Sequence, residues 1–408
     1  MAALQKPASR TTTFLDQPPS CLEICPTACD HVLIGTYLLT KGGEGTSSAE
    51  STRTGSIQLY KLDPESSRLT QVQRIPLDHA VFDLHFSPRD PSVFAIALST
   101  AAVALYRIQI TGTGPQIQYI NTIPVHDDPA QLSLFLAWIP PNPNHDSEPT
   151  PDGFAVSFSG GGISVFHANG TTSAQLTRET MTEIEFSGSP IEVWYVAFDS
   201  TKPSGGPGLP NLFSGDDFSQ LREFVFPGKL KDGHDDEGDE DDASPEPYQK
   251  FNDRGRHHDA GVTTILPLVS NEKGTVLITG SYDGNIRVYE QGMRGQILAE
   301  LDLGGGVWRL KLVRSTTSSD CVEGRDYYIL ASCMHAGTRV VKLTYDPCGA
   351  EAGEQWSFKV MAEFTEHESM NYASDFQMQE TLGVDGVKLL CISSSFYDKR
   401  LCVWNAEI

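Results

Sequence analysis

The sequence predicts an all-β protein, a seven-bladed WD40-type β-propeller with long loop insertions occupying residues 1–408 as one fold. Three observations carry that reading. A strand–turn–strand unit recurs along the 408 residues, another short apolar strand precedes each copy, and 36 glycines with 25 prolines favour many short strands over long helices.

The clearest copy is TGSYDGNIRVYE, 279–290. Similar pairs lie at 93–108 (VFAIALSTAAVALYRI), 153–169, 211–226, 327–343 and 389–406. The first copy is split, with HVLIGTYLLT at 31–40 and GSIQLYKLD at 55–63. The preceding strands are SCLEICP at 20–26, then 80–88, 132–140, 191–199, 261–269, 305–313 and 370–378, which makes seven units. Trp404 and Tyr289 stand where the tryptophan of a WD dipeptide is expected, and Asp217, Asp283 and Asp398 fall in the turns between second and third strands. TTTFLDQ at 11–17 is expected to supply an outer strand to the last blade, leaving fewer exposed edges.

Residues 229–250, KLKDGHDDEGDEDDASPEPYQK, are acidic and lack an apolar period. They read as a disordered insert between blades four and five, either a solubilising spacer or a docking arm. Loops at 40–55 and 140–153 interrupt blades one and three.

Charged residues make up 20% and hydrophobic residues 39% of the chain, a balance typical of a soluble globular protein. The net charge of −23 argues against a nucleic-acid partner and suits a basic protein or a cationic ligand. No stretch has the length of a membrane span, and the first residues lack the apolar core of a signal peptide. Eight scattered cysteines suit a reducing compartment, so a cytoplasmic location is expected. Cys21, Cys25 and Cys29 have spacings that match no usual metal motif, and neither metal nor cofactor is expected. A closed propeller buries its own core, so a monomer is expected.

An ordinary blade pairs a turn Asp with a strand Ser, a His before the blade and the Trp, because buried polar groups must be paired. Asp283, Ser281, Tyr289 and His257 or His258 fit that network in blade five. Departures from it mark a candidate site. Aligning SYDGNIRV with CMHAGTRV puts His335 at the position of Asp283, and histidine is the side chain that titrates near neutral pH. SGDD gives blade four the adjacent carboxylates Asp216 and Asp217. Trp194 and Trp308 come early in first strands, which line a propeller's channel; they read either as packing between blades or as rings at its mouth. Acids and indoles together suit a quaternary ammonium group held by cation–π contacts.

The segments GTYLL, EVWYVAF, LFSGDD, HHDAGVTTI, TGSYDGNIRVYE, GGVWRLK, ASCMHAG and SSFYDKRLCVW, in this order, resemble the WD-repeat diphthine methyl ester hydrolases of diphthamide biosynthesis. The resemblance runs from about residue 20 to the C-terminus. It implies that the partner is elongation factor 2 carrying methylated diphthine, a modified histidine whose added chain bears a trimethylammonium group and a methyl ester. Hydrolysis of the ester frees the carboxylate.

No G-x-S-x-G elbow and no metal-spaced His cluster is present. The expected catalytic group is therefore a water activated by His335, its imidazole oriented by Asp217 or Asp283. Cys333 is the alternative nucleophile or, on strand alternation, a core thiol. Trp194, Trp308 and backbone N–H groups would hold the substrate, with Asp216, Asp398, His258 and His367 on the same face; either histidine equally fits the ordinary structural place before a blade. Two other classes stay open. One is a non-enzymatic WD40 scaffold, the other a recognition module that recruits a separate hydrolase.

Overall fold

A computed structural model describes residues 3–41, 51–142, 150–188, 190–201, 208–227, 246–318, 323–349, 355–380 and 386–408. The fold is the expected one: seven antiparallel sheets in succession, each with four strands as its frame, the arrangement of a seven-bladed propeller. One 3₁₀ turn, Ser173–Gln175, is the one helical element among the described residues, and no helix is long and apolar enough to cross a membrane.

Burial explains why the sequence reads this way. Second and third strands such as His31–Thr36, Val93–Leu98 and Ile163–Ala168 are buried at every position. Their two faces both meet neighbours, so they appear as nearly unbroken apolar runs. Fourth strands such as Leu69–Leu77 are mostly exposed, with partly buried positions alternating along their second half. Their pattern is weaker, and it is easily taken for loop.

That weakness corrects one expectation. Tyr248–Asn252 forms the outermost strand of the fourth sheet, paired with Leu221–Val225. The acidic insert therefore lies inside blade four, not after it, and ends before Tyr248; residues 229–245 of it are outside the described residues. In blade one, Leu38–Thr40 pairs with Thr52–Thr54, so the 40–55 loop begins as a hairpin, and its residues 42–50 are outside the described set. Of the 140–153 loop, residues 143–149 are likewise outside it, and Asp152–Phe158 is strand.

The described chain groups into two compact units. One contains Met1–Phe82, Ile278–Glu290 and Gly295–Ile408, and so holds blades one, six and seven with the central hairpin of blade five. In it, Thr11–Phe14 pairs with Arg400–Glu407 as the fourth strand of the last sheet, as the sequence indicates. The N-terminus thus covers the edge that the C-terminal strand would leave open. Trp404, fully buried, stacks on Phe364 at 4.9 Å in this unit. The other unit contains Asp83–Leu277 and Gln291–Arg294, with blades three and four whole and a core that includes Phe135, Val165, Val196, Leu212 and Phe224.

In five blades the turn between second and third strands holds a residue with left-handed backbone. Glycine supplies it in blades three, five and six, at Gly161, Gly284 and Gly337 with φ of 88°, 90° and 82°. Blades four and seven place Ser219 (φ 64°) and Lys399 (φ 56°) there.

Candidate functional site

The repeat places side chains at equivalent positions, and one backbone hydrogen bond fixes the equivalence. The residue that follows a second strand donates its N–H to the residue just ahead of the first strand: Tyr37 to Pro18, Ser159 to Leu132, Asp217 to Glu192 and Phe396 to Met370. Two residues beyond each acceptor stand Ser20, Leu134, Trp194 and Tyr372. The same two strand ends carry Tyr282 after the second strand of blade five, and Trp308 and Phe82 at the first strands of blades six and two.

In the unit built on blades one, six and seven these positions hold a continuous arc of rings. Phe82 meets Tyr37 at 5.3 Å between centroids, Tyr37 meets Phe396 at 6.0 Å, and Phe396 meets Tyr372 at 5.4 Å. Tyr372 meets Trp308 at 5.2 Å, and Trp308 meets Tyr282 at 5.8 Å. All six are half-buried, so each ring packs on its neighbours and keeps part of its surface towards solvent. Centroid separations of 4.5–7 Å are those of favourable edge-to-face and offset contacts.

Trp308 is set in the arc by the glycines before it. Val307 donates its N–H to Ser281 O and Trp308 donates to Ser332 O, so GGGVW runs between the turns of blades five and six. A Cβ on Gly305 would lie 2.6 Å from Cys333 O and 2.9 Å from the Ala336 Cβ. Backbone cannot yield there as a flexible side chain can. Gly305→Ala is therefore expected to cost about 1–3 kcal/mol and to displace the 333–336 turn, read as a lower denaturation midpoint together with lost activity.

That turn carries His335. Met334 has φ 43°, Ala336 donates its N–H to Cys333 O, and Gly337 donates to Met334 O. His335 is exposed, and its side chain makes no hydrogen bond or ion pair with the described residues. Cys333 is buried, and burial pushes its thiol up to about 12, which is the behaviour of a core thiol and not of a thiolate nucleophile.

The expected carboxylate partners, Asp283 and Asp217, have hydrogen-bond partners of their own. Asp283 holds Arg287 at 2.8 Å and accepts the N–H of Asn285. A guanidinium four residues on, on the facing strand of its own hairpin, is within easier reach than an imidazole of another blade. In the other unit, Asp217 is exposed and accepts the indole N–H of Trp194 at 2.7 Å. Asp216, not Asp217, takes the buried role of the turn acid: it pairs with Arg222 at 3.0 Å and accepts the N–H groups of Phe218 and Gln220. Burial raises its carboxyl above the usual range despite those donors.

Three histidines belong to blade networks. His258 is buried, with its Nδ1 4.0 Å from Asp253, and His257 holds Asp253 at 2.8 Å. His367 Nε2 meets Ser393 Oγ at 2.8 Å, and Trp404 donates its indole N–H to the same oxygen at 3.0 Å. Asp398 accepts from Ser369 Oγ at 2.9 Å and from the Glu368 N–H; although burial opposes it, hydrogen bonds from Ser395, Ser369 and Glu368 hold its carboxyl below the usual range.

Burial lowers His367 to about 4, so it stays neutral in the folded chain. An unfolded histidine takes its proton near pH 6.5. Between pH 6.5 and 4 the unfolded chain therefore binds more protons, and stability falls as pH falls through this window. The loss approaches about 3 kcal/mol, and His367→Gln is expected to remove this component from a comparison of urea midpoints at pH 7 and pH 5.

Among the described residues no group of three His, Cys, Asp or Glu is placed to hold a metal. The site is an aromatic arc with an exposed histidine in the turn beside it, on a WD40-type propeller. Comparison with solved structures places the fold in the same class. The chain matches a chain of a mitotic checkpoint complex with TM-score 0.54 and 12% identity, over 100% of this chain and 98% of that one. It matches a Chaetomium thermophilum Sqt1 structure, bound to the N-terminus of ribosomal protein L10, with TM-score 0.53 and 12% identity over 97% and 89%. No family model matches the chain.

Along nearly its whole length the chain is related to proteins named diphthine methyltransferase, which bears out the resemblance read from its motifs. The Schizosaccharomyces pombe protein is 26% identical over 97% of both chains, and the Saccharomyces cerevisiae protein 27% identical over 95% of both. The Homo sapiens protein is 23% identical over 87% of this chain and 71% of its own length.

The sequence singled out Trp308 and missed Tyr37, Phe82, Tyr282, Tyr372 and Phe396. Each stands among other aromatics of its own repeat, so nothing local singles it out. The signal that finds them is their common position at the ends of first and second strands.

Proposed function

We propose that the chain acts in diphthamide biosynthesis and hydrolyses the methyl ester of methylated diphthine on elongation factor 2. The observation that carries this reading is the arc of six rings. Aromatic faces attract a quaternary ammonium at about 0.5–2 kcal/mol each, and the relatives' names supply diphthine as the ammonium-bearing group.

Ester hydrolysis then needs a base and donors for an oxyanion. His335, exposed in the turn next to Trp308, takes a proton from water. The water oxygen bonds to the ester carbonyl carbon and forms a tetrahedral oxyanion. The carbonyl re-forms as the C–OCH₃ bond breaks, the imidazolium returns its proton to methoxide, and methanol leaves a carboxylic acid that ionises. Asp283 stays with Arg287 in this scheme and shapes the turn. Trp194 and Asp217 form a hydrogen-bonded pair at the equivalent place in blade four and are assigned to binding the factor. The net charge of −23 suits basic surfaces of that factor. A cytoplasmic monomer is the working form.

The relatives' names favour a second reading, methyl transfer onto diphthine. Mass spectrometry of elongation factor 2 carrying methylated diphthine, incubated with the purified chain alone, separates the two. Loss of one CH₂ with release of methanol is the expected result. A mass gain that requires an added methyl donor would make the chain a methyltransferase. Stable binding without a mass change would make it a recognition module, and neither binding nor change a scaffold.

A further inference from the structure

A cavity of about 360 Å³ opens between residues of blades two and three, away from the aromatic arc in sequence and wholly within one compact unit. One wall is the end of the outer strand Gly114–Pro124 with His126 and Asp127 beyond it. The other is Arg178 with Glu183 and Glu185 of the outer strand Thr182–Phe186. Those two glutamates are two residues apart on a strand, so their side chains leave the same face.

The cavity already shows which group it accepts. Arg178 reaches Glu183 at 2.6 Å and lies over the Phe166 ring, 5.4 Å from its centre. A guanidinium is thus held there between a carboxylate and an aromatic face. The rest of the lining has similar parts and no guanidinium. The His126 ring packs on Phe158 at 5.0 Å, and its Nδ1 accepts the Asp128 N–H at 2.9 Å, which leaves a proton on Nε2 as a donor. Asp127 and Glu185 are exposed and make no hydrogen bond or ion pair with the described residues. Three carboxylates against one guanidinium leave two negative charges in the lining without a cation.

A metal ion does not fit that gap, because among the described residues no three His, Cys, Asp or Glu are placed to hold one. A second guanidinium does: its planar fork donates to carboxylates that stand apart. Free arginine would bring a carboxylate of its own, which Asp127, Glu183 and Glu185 repel, whereas an arginine inside a polypeptide brings none. The net charge of −23 draws basic segments towards the chain. We propose that this cleft is a docking site for an arginine in an extended segment of a partner protein. The site lies beyond the proposed reaction and needs no part of it.

The test uses the full chain and the peptide acetyl-Gly-Arg-Gly-amide, titrated while the His126 ring is followed by NMR with labelled histidine. Saturable displacement of the His126 signals is expected. The citrulline analogue, alike in shape but uncharged, should bind at least about tenfold more weakly, as the loss of one charge-assisted hydrogen bond provides. Free arginine should also bind more weakly than the peptide. Asp127→Asn combined with Glu185→Gln should lose a similar factor with an unchanged thermal midpoint, since both side chains are exposed and give up no described contact. No saturable change at His126, equal binding of the citrulline peptide, or full affinity in the double variant overturns the proposal. Free arginine that binds as tightly as the peptide overturns it too, because the cleft would then be a small-molecule site.

Discussion

His335→Ala is expected to lower turnover of the methylated factor by about 10²–10⁴-fold, the range that positioned general bases supply. Its thermal midpoint should stay close to wild type, because the side chain is exposed and no described contact is lost. The pair of results matters. A structural histidine such as His367, buried against Ser393, would lose stability and activity together. His335→Gln should be as inactive as the alanine variant, since the amide has no proton-accepting nitrogen near neutral pH. Retained turnover in either variant would take His335 out of the mechanism and leave the aromatic arc as a binding surface.

The second large effect is on stability. Lys311, on the first strand of blade six, lies 3.0 Å from Asp375 and 3.5 Å from Glu23, on the first strands of blades seven and one. Asp375 also accepts the N–H of Ile24 at 2.8 Å. Burial alone would lower the lysine, but the two carboxylates outweigh it and hold the ammonium well above its usual range. A raised lysine contributes its full stability below the unfolded value, about 10.4, and loses it only as pH rises beyond that, so the contribution is flat near neutrality.

Lys311→Met strands two carboxylates without their cation and should cost about 3 kcal/mol, measured by urea unfolding. Combining it with Glu23→Gln and Asp375→Asn should recover most of that loss, because a wholly neutral triad leaves no unpaired charge. A Lys311→Met midpoint equal to wild type would mean that water screens the triad.

What was legible tracks the physics of each strand. Runs such as VFAIAL at 93–98 are buried on both faces, and burial writes itself into composition. The closing strand at 11–14 was legible because an open propeller edge must be paired. Tyr248–Asn252 was not, since its first three residues are exposed and carry no apolar signal. In SGDD the sequence offered two adjacent acids, and only the position of Arg222 decided that Asp216 is the buried partner while Asp217 faces Trp194.

By itself the sequence determined the repeat, the number of blades, the departure at His335 and the similarity to proteins of diphthamide biosynthesis. These are matters of local pattern: period, turn chemistry and ordered motifs. Tertiary structure alone decided which side chains meet. Tyr37, Phe82, Tyr282, Trp308, Tyr372 and Phe396 span residues 37–396 and become an arc only when the blades pack. Lys311 finds Glu23 and Asp375 in the same way. Local pattern does not record which side chains of different strands meet, because each partner contributes a single residue to its own strand.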